Sequence, residues 1–296
     1  VVPFSVLMAT YAGDRAEWLR KALASIRNQT LHPAELVIVL DGPVSAASEQ
    51  VITAFRATVP FPVLLVRLPE NQGLAAALNA GLEVCTQPWC ARMDSDDLCE
   101  PQRFERQWQA LQAAPSIDVL GTWTAEFDQD PAVIERYKTA PADHDGILRL
   151  LRWRNVVQHP TVVFRSALVR RLGGYSTAYP YMEDYDLFLR LGQAGARFAV
   201  LPEVLLRFRA NRQQRQRRGG FHYLATELRF RRDFHRRGLL SLPVFLASAA
   251  AMTVFRLAPE PLKLPLYSLV RKKPERADAA VQPSRRTDPA YSDVLG

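Results

Sequence analysis

Short apolar runs alternate with amphipathic stretches through the first hundred residues, and this alternation restricts the chain to one class of fold. Residues 5–10 (SVLMAT), 35–40 (ELVIVL), 63–67 (VLLVR) and 89–93 (WCARM) read as buried strands. Residues 16–29, 46–58, 74–84 and 102–113 follow them with helical spacing, as in Leu19, Ala22, Leu23 and Ile26. This order predicts right-handed βαβ units and an α/β fold with a mostly parallel sheet flanked by helices. Beyond Val119 the alternation breaks down. Residues 145–154 and a segment starting near Glu183 read as helices, and 161–164, 198–201 and 205–209 as strands, forming a second half of the same domain.

In such a sheet, ligands bind beyond the carboxyl ends of the strands. The residues there are Thr10-Tyr11, Asp41-Gly42, the run from Pro69 to Gly73, and Asp94, Ser95, Asp96, Asp97. Three carboxylates within four residues repel one another in a partly buried turn. A divalent cation such as Mn²⁺ or Mg²⁺ removes the conflict, since both prefer oxygen ligands shared between carboxylates and substrate phosphates. The plainer alternative is a solvated turn capping the next helix. Glu70-Asn71-Gln72-Gly73-Leu74 is either an ordinary strand-to-helix turn or one whose helix N-terminus faces an anion. Glu183-Asp184-Tyr185-Asp186 opens a helix, where the macrodipole favours acids; a carboxylate there could also serve as a general base.

Charge is unevenly placed. Residues 207–237 hold eleven arginines against two acids, so that window carries all of the formal +8 and the rest is close to neutral. A basic tail on a neutral body argues for a partner of the tail and against a nucleic-acid-binding core. Cys85, Cys90 and Cys99 form no CxxC, which fits a reducing, cytoplasmic setting. The opening VVPFSVLMATY reads as a strand, without the charged start and cleavage site of a signal peptide. Residues 221–237 predict a basic amphipathic helix, and 239–257 an apolar stretch at the short end of what spans a bilayer. The predicted organisation is 1–210 as the main domain, divided near 115 into two halves, 211–270 as a helical extension, and 271–296 as a disordered tail.

Taken together, SVLMATY, ELVIVLDG, LPENQGLAAALNAG, ARMDSDDLCEPQRFERQ, QHPTVVFR, LGGYSTAYPYMEDYDLFLRL and RFAVLPEVLLRFR resemble family 2 glycosyltransferases of the Rossmann-like GT-A fold, in that family's order, over about residues 4–209. The resemblance implies inverting transfer of one sugar from a nucleotide-sugar donor, UDP- or dTDP-linked, to a glycan or lipid-linked acceptor in cell-surface polysaccharide synthesis. It implies that Thr10 and Tyr11 line the nucleotide pocket, Asp41 bonds the base edge, and Asn71 and Arg92 lie near base and diphosphate. Asp94 would hold the ribose or donor sugar, Asp96 the metal, Asp184 would be the catalytic base, and Glu183 and His159 would serve the acceptor. His159 reads equally as a structural hydrogen-bonder.

Two departures matter. Asp41 is followed by Gly42-Pro43 where many relatives carry a second acid, and no QxxRW follows the Glu-Asp pair, which favours single addition over polymer synthesis. A sugar nucleotidyltransferase would need a Gly-rich basic loop where this chain has Ala9-Thr10-Tyr11-Ala12-Gly13-Asp14. A nucleic-acid- or anion-binding module using the basic tail would leave the acidic cluster unexplained. For the tail, three readings stand: Arg212, Arg215, Arg217 and Arg218 as a lid over the diphosphate, the helices as a peripheral contact with the inner face of the cytoplasmic membrane, or a helix pair packed on the body.

Overall fold

A computed structural model describes residues 1–210 and 220–257. Four strands form the parallel half of the sheet: β1 (Val2–Tyr11), β2 (Pro33–Asp41), β3 (Val63–Arg67) and β4 (Trp89–Arg92), in the order β3-β2-β1-β4. The helices α1 (Ala16–Arg27), α2 (Ala46–Arg56) and α3 (Leu74–Val84) connect them. Successive side chains of these strands enter two different cores. Leu7, Ala9, Val37 and Val39 face α3, while Phe4, Val6, Met8, Leu36, Ile38 and Leu40 join Leu19, Leu23 and Ile52 of α1 and α2. Both faces are therefore apolar, which is why these strands read as uninterrupted hydrophobic runs.

The second half is mixed. It comprises β5 (Leu98–Cys99), α4 (Arg103–Ala113), β6 (Val119–Phe127), β7 (Arg136–Lys138), α5 (His144–Leu151), β8 (Val163–Arg165), α6 (Ser166–Arg171), α7 (Glu183–Gln193) and β9 (Phe198–Arg209). Strand β8 inserts antiparallel between β4 and β6, β9 runs parallel to β6, and β5 pairs antiparallel with β9. The sheet is thus parallel on its amino-terminal side and mixed beyond β4. A single strand, β9, replaces the two expected around Pro202-Glu203; the register with β6 shifts at that point, a bulge that accommodates the proline.

After residue 219 come α8 (Gly220–Arg236) and α9 (Leu242–Leu257), close to the helices predicted there. Phe230 and Phe234 of α8 and Leu240 after it belong to the same core as α3, α5 and α7. Among the described residues, no helix is long and apolar enough to cross a membrane. The proposed arginine lid and the tail 271–296 lie outside the described residues.

Candidate active site

The ends of β1, β2 and β4 meet along one edge, where Tyr11 pairs with Asp41 and Leu7 with Arg92. Immediately beyond β4, ligand oxygens of Asp94, Asp96 and Asp97 all lie within 4.8 Å of one another. Such closeness of acids demands compensation, and two arginines provide it. Arg92 is fully buried, donates to the Leu7 carbonyl at 3.2 Å, and forms an ion pair with Asp94. The expected place of Arg92 beside base and diphosphate therefore meets a guanidinium with no exposed surface, turned to Asp94. Arg209, at the end of β9, donates its backbone N–H to Asp97 Oδ1 (2.8 Å) and its Nε to the Asp96 carbonyl (3.0 Å). Its guanidinium lies 4.5 Å from the ring centres of both Trp18 and Phe127.

The compensation is incomplete. Burial first, then Asp94 and Asp14, push the Asp96 carboxyl up to about 7. Burial and the neighbouring Asp96 and Asp94 push Asp97 well above the usual carboxylate range, and its Oδ2 has no hydrogen-bond partner among the described residues. An all-oxygen set of three acids with an orphaned buried oxygen suits a hard divalent cation, so the residues fit the Mn²⁺ or Mg²⁺ expected from the sequence.

Asp14 was not singled out by the sequence. It accepts hydrogen bonds from Thr10 Oγ1 (2.9 Å), Ser95 Oγ (2.6 Å) and the Tyr11 amide (3.3 Å), tying the end of β1 to the acidic turn. The signal was an acid just past the first strand, which also suits a plain turn. Asp41 places one oxygen on the Gln72 amide (2.7 Å) and the other on the Gly73 amide (3.0 Å), and Asn71 Nδ2 donates to the Asp41 carbonyl (3.3 Å). This docking brings two turns so close that a Cβ on Gly42, whose φ is +79°, would sit 2.7 Å from the Asn71 nitrogen.

The second acidic group opens α7. Asp184 Oδ2 accepts from Asn155 Nδ2 (2.8 Å) and Oδ1 from the Tyr185 amide (2.7 Å), which fixes the carboxylate plane. Glu183 is half-buried beside it, whereas Asp186 is buried and ion-paired with Arg190 at 2.6 Å. His159 is buried, shares a 3.0 Å hydrogen bond with the Tyr175 hydroxyl and contacts the Phe188 ring; burial, then Arg92, hold it well below its usual pKa and so neutral. Burial first, with smaller contributions from neighbouring charges that include Arg92, Asp184 and Glu183, pushes the Tyr175 hydroxyl well above its usual pKa, so it stays protonated. Its backbone is clamped by Asn79 of α3 through bonds of 2.7 and 2.8 Å. Asn155, Tyr175 and Arg209 escaped sequence reading because their partners are distant in the chain.

The family model "Glycosyl transferase family 2" matches residues 5–172. The "Amylovoran biosynthesis glycosyltransferase AmsE" of Erwinia amylovora is 39% identical over 229 residues, covering 77% of this chain and 84% of that protein. The "UDP-Gal:alpha-D-GlcNAc-diphosphoundecaprenol beta-1,3-galactosyltransferase" of Escherichia coli is 32% identical over 270 residues, covering 91% and 97%. Among solved structures, S. aureus TarS 1–349 in complex with UDP-GlcNAc superimposes with a TM-score of 0.68 at 16% identity, over 89% of this chain and 78% of that one, a likeness of fold.

Proposed function

From the premise that this chain belongs to glycosyltransferase family 2, we propose that it transfers a single sugar, with inversion, from a UDP-linked donor to a sugar hydroxyl on a lipid-diphosphate-linked glycan. The observation that carries this reading is the triad Asp94, Asp96 and Asp97 at the end of β4, in the same edge as Asp41 and Tyr11. The relatives' names support the donor and acceptor classes and a place in polysaccharide synthesis.

In this reading Thr10, Tyr11, Asp41 and Asn71 frame the nucleotide, with Asp41 acting both on the base and on the turn it organises. Asp94 orients the ribose or donor sugar, backed by Arg92. Asp96, with Asp94 and Asp97, would hold the divalent cation, which when bound supplies positive charge to the departing diphosphate. Asp184 takes the proton from the acceptor hydroxyl, whose oxygen forms the new bond to the anomeric carbon as the bond to the diphosphate breaks. The products are the extended glycan, a nucleoside diphosphate and a protonated Asp184. Glu183 positions the acceptor, and His159, buried and neutral, acts through Tyr175.

The acceptor's lipid also needs a surface. Leu242, Leu246 and Val254 of α9 are exposed in steps of four or eight residues, and Arg229, Arg232, Arg236 and Arg237 are exposed on and just after α8. This combination supports a peripheral contact with an anionic membrane.

The test is a screen of UDP-, GDP- and dTDP-sugars, with Mn²⁺, against a synthetic N-acetylglucosaminyl diphosphate lipid. The expected result is one UDP-sugar transferred with inversion, and an Asp184→Asn variant that still binds donor but no longer transfers. Normal transfer by Asp184→Asn would remove Asp184 from the base role.

A further inference from the structure

The segment after residue 219 touches the chemistry more closely than its position past the sheet suggests. Its helix α8 lies against the loop before α7: Arg229 donates to the Ala178 carbonyl (3.0 Å), and the Tyr179 hydroxyl donates to Asp233 Oδ2 (3.1 Å). Phe230 packs at a tilt against Tyr185 (5.0 Å between ring centres) and edge-to-face against Tyr179 (5.2 Å).

Within this contact lies a buried cation. Arg231 is 1% exposed, and its Nη2 donates both to Glu227 Oε1 and to the Trp153 carbonyl, each at 3.1 Å. Among the described residues its Nε and Nη1 have no hydrogen-bond partner. Burying a guanidinium with three of its five N–H donors unused is costly, and an apolar side chain would pack there without that cost. Stability is thus a weak reason for an arginine here, while the carbonyl it holds supplies a stronger one. Trp153 stands two residues before Asn155, the residue whose amide fixes Asp184 Oδ2. The helix that leads into this loop is anchored at its last residue, where the Tyr185 hydroxyl donates to the Leu151 carbonyl at 2.5 Å.

We propose that Arg231 is a positioning residue for Asp184: it holds the loop at Trp153 so that Asn155 presents its amide to the carboxylate. Helix α8 is then part of the acceptor half of the site and not an appendage to it. The inference rests on the assignment of Asp184 as the base, and its test separates the two.

Arg231→Lys keeps the positive charge, but its ammonium sits one bond nearer the backbone than Nη2, so it cannot occupy the point where that one nitrogen meets both Glu227 and the Trp153 carbonyl. Steady-state transfer is measured on the full chain with UDP-galactose and the synthetic N-acetylglucosaminyl diphosphate lipid, or with the donor selected by the screen. The expected result is a kcat lowered roughly 10- to 100-fold, with donor KM within about twofold. Asn155→Ala should show the same pattern, and the double variant should be no slower than the slower single variant, because both act on one carboxylate. If Arg231→Lys does not fold, Arg231→Met with Glu227→Met removes both buried charges together and should show the same loss of kcat in a stable protein. A wild-type kcat in either Arg231 variant, or losses that multiply in the double variant, overturns the proposal. Asp184→Asn is run alongside. If it is inactive while Arg231 variants are unimpaired, only the present inference fails; if it is active, the base assignment fails as well.

Discussion

Asp96 sits half-buried between two other acids, with Arg209 below it, and its raised pKa has a consequence that needs no substrate. A carboxyl near 7 in the folded chain and near 3.8 when free keeps a proton in the native state that the unfolded state has released. In metal-free protein, stability therefore falls as pH rises from about 4 to about 7, since the native state must give up its extra proton. Asp14, Asp97 and Asp186 are raised as well, and His159 is lowered, so the total slope is a sum of several groups. Asp96→Asn isolates one of them. In EDTA, wild type should lose more thermal stability between about pH 5 and about pH 8 than Asp96→Asn does, and Mn²⁺ should restore most of the wild-type loss at the higher pH. Equal pH slopes in wild type and variant would rule out an uncompensated acid at this position. The residues that form the cluster were legible because three acids follow one another in the chain. Arg209, which supports them, was not: its bond to Asp97 spans 112 residues, and nothing local distinguishes it from the other arginines of the basic window.

At the level of elements, legibility followed burial. Strands β1, β2, β3 and β4 were readable because both their faces are apolar, so the run of side chains announces the strand. Strand β6 was not, since Gly121, Thr122, Thr124 and Glu126 interrupt its hydrophobic pattern; the three polar residues are buried all the same, Glu126 paired with Arg136 and Lys138 of β7. The turn into Tyr175 was equally silent. Gly174 has a φ of +68°, and a Cβ there would lie 2.3 Å from Asn79 Oδ1, a constraint seen only once α3 and that turn are docked. Helices α8 and α9 were anticipated, and the structure puts α8 against the body while leaving one face of α9 exposed. That face carries a prediction of its own. The full chain should sediment with vesicles containing phosphatidylglycerol, and Leu246→Glu should lower the bound fraction by about tenfold, since it places a charge where an apolar side chain would enter the interface. Binding that is indifferent to Leu246→Glu, or absent in wild type, would remove α9 as a membrane contact.

On the scale of the molecule, a parallel half-sheet brings Tyr11, Asp41 and the acidic turn to one edge, and a mixed half-sheet returns Arg209 beneath that turn. The His159–Tyr175 pair is clamped by Asn79 of α3, and Asp184 at the start of α7 is held by Asn155. The order of strands in the second half could not be read from the chain, because β8 enters antiparallel after a long excursion and β9 returns beside β6 from its far side. What unites the two halves is the claim that the β4 acids share a divalent cation with the donor's diphosphate. Calorimetric titration of the UDP-sugar into wild type and Asp96→Ala, each in Mn²⁺ and in EDTA, tests it most directly. Wild type should bind in Mn²⁺, with affinity weaker by about tenfold or more both in EDTA and in Asp96→Ala. Equal affinity in Mn²⁺ and EDTA, or wild-type affinity in Asp96→Ala, would contradict it.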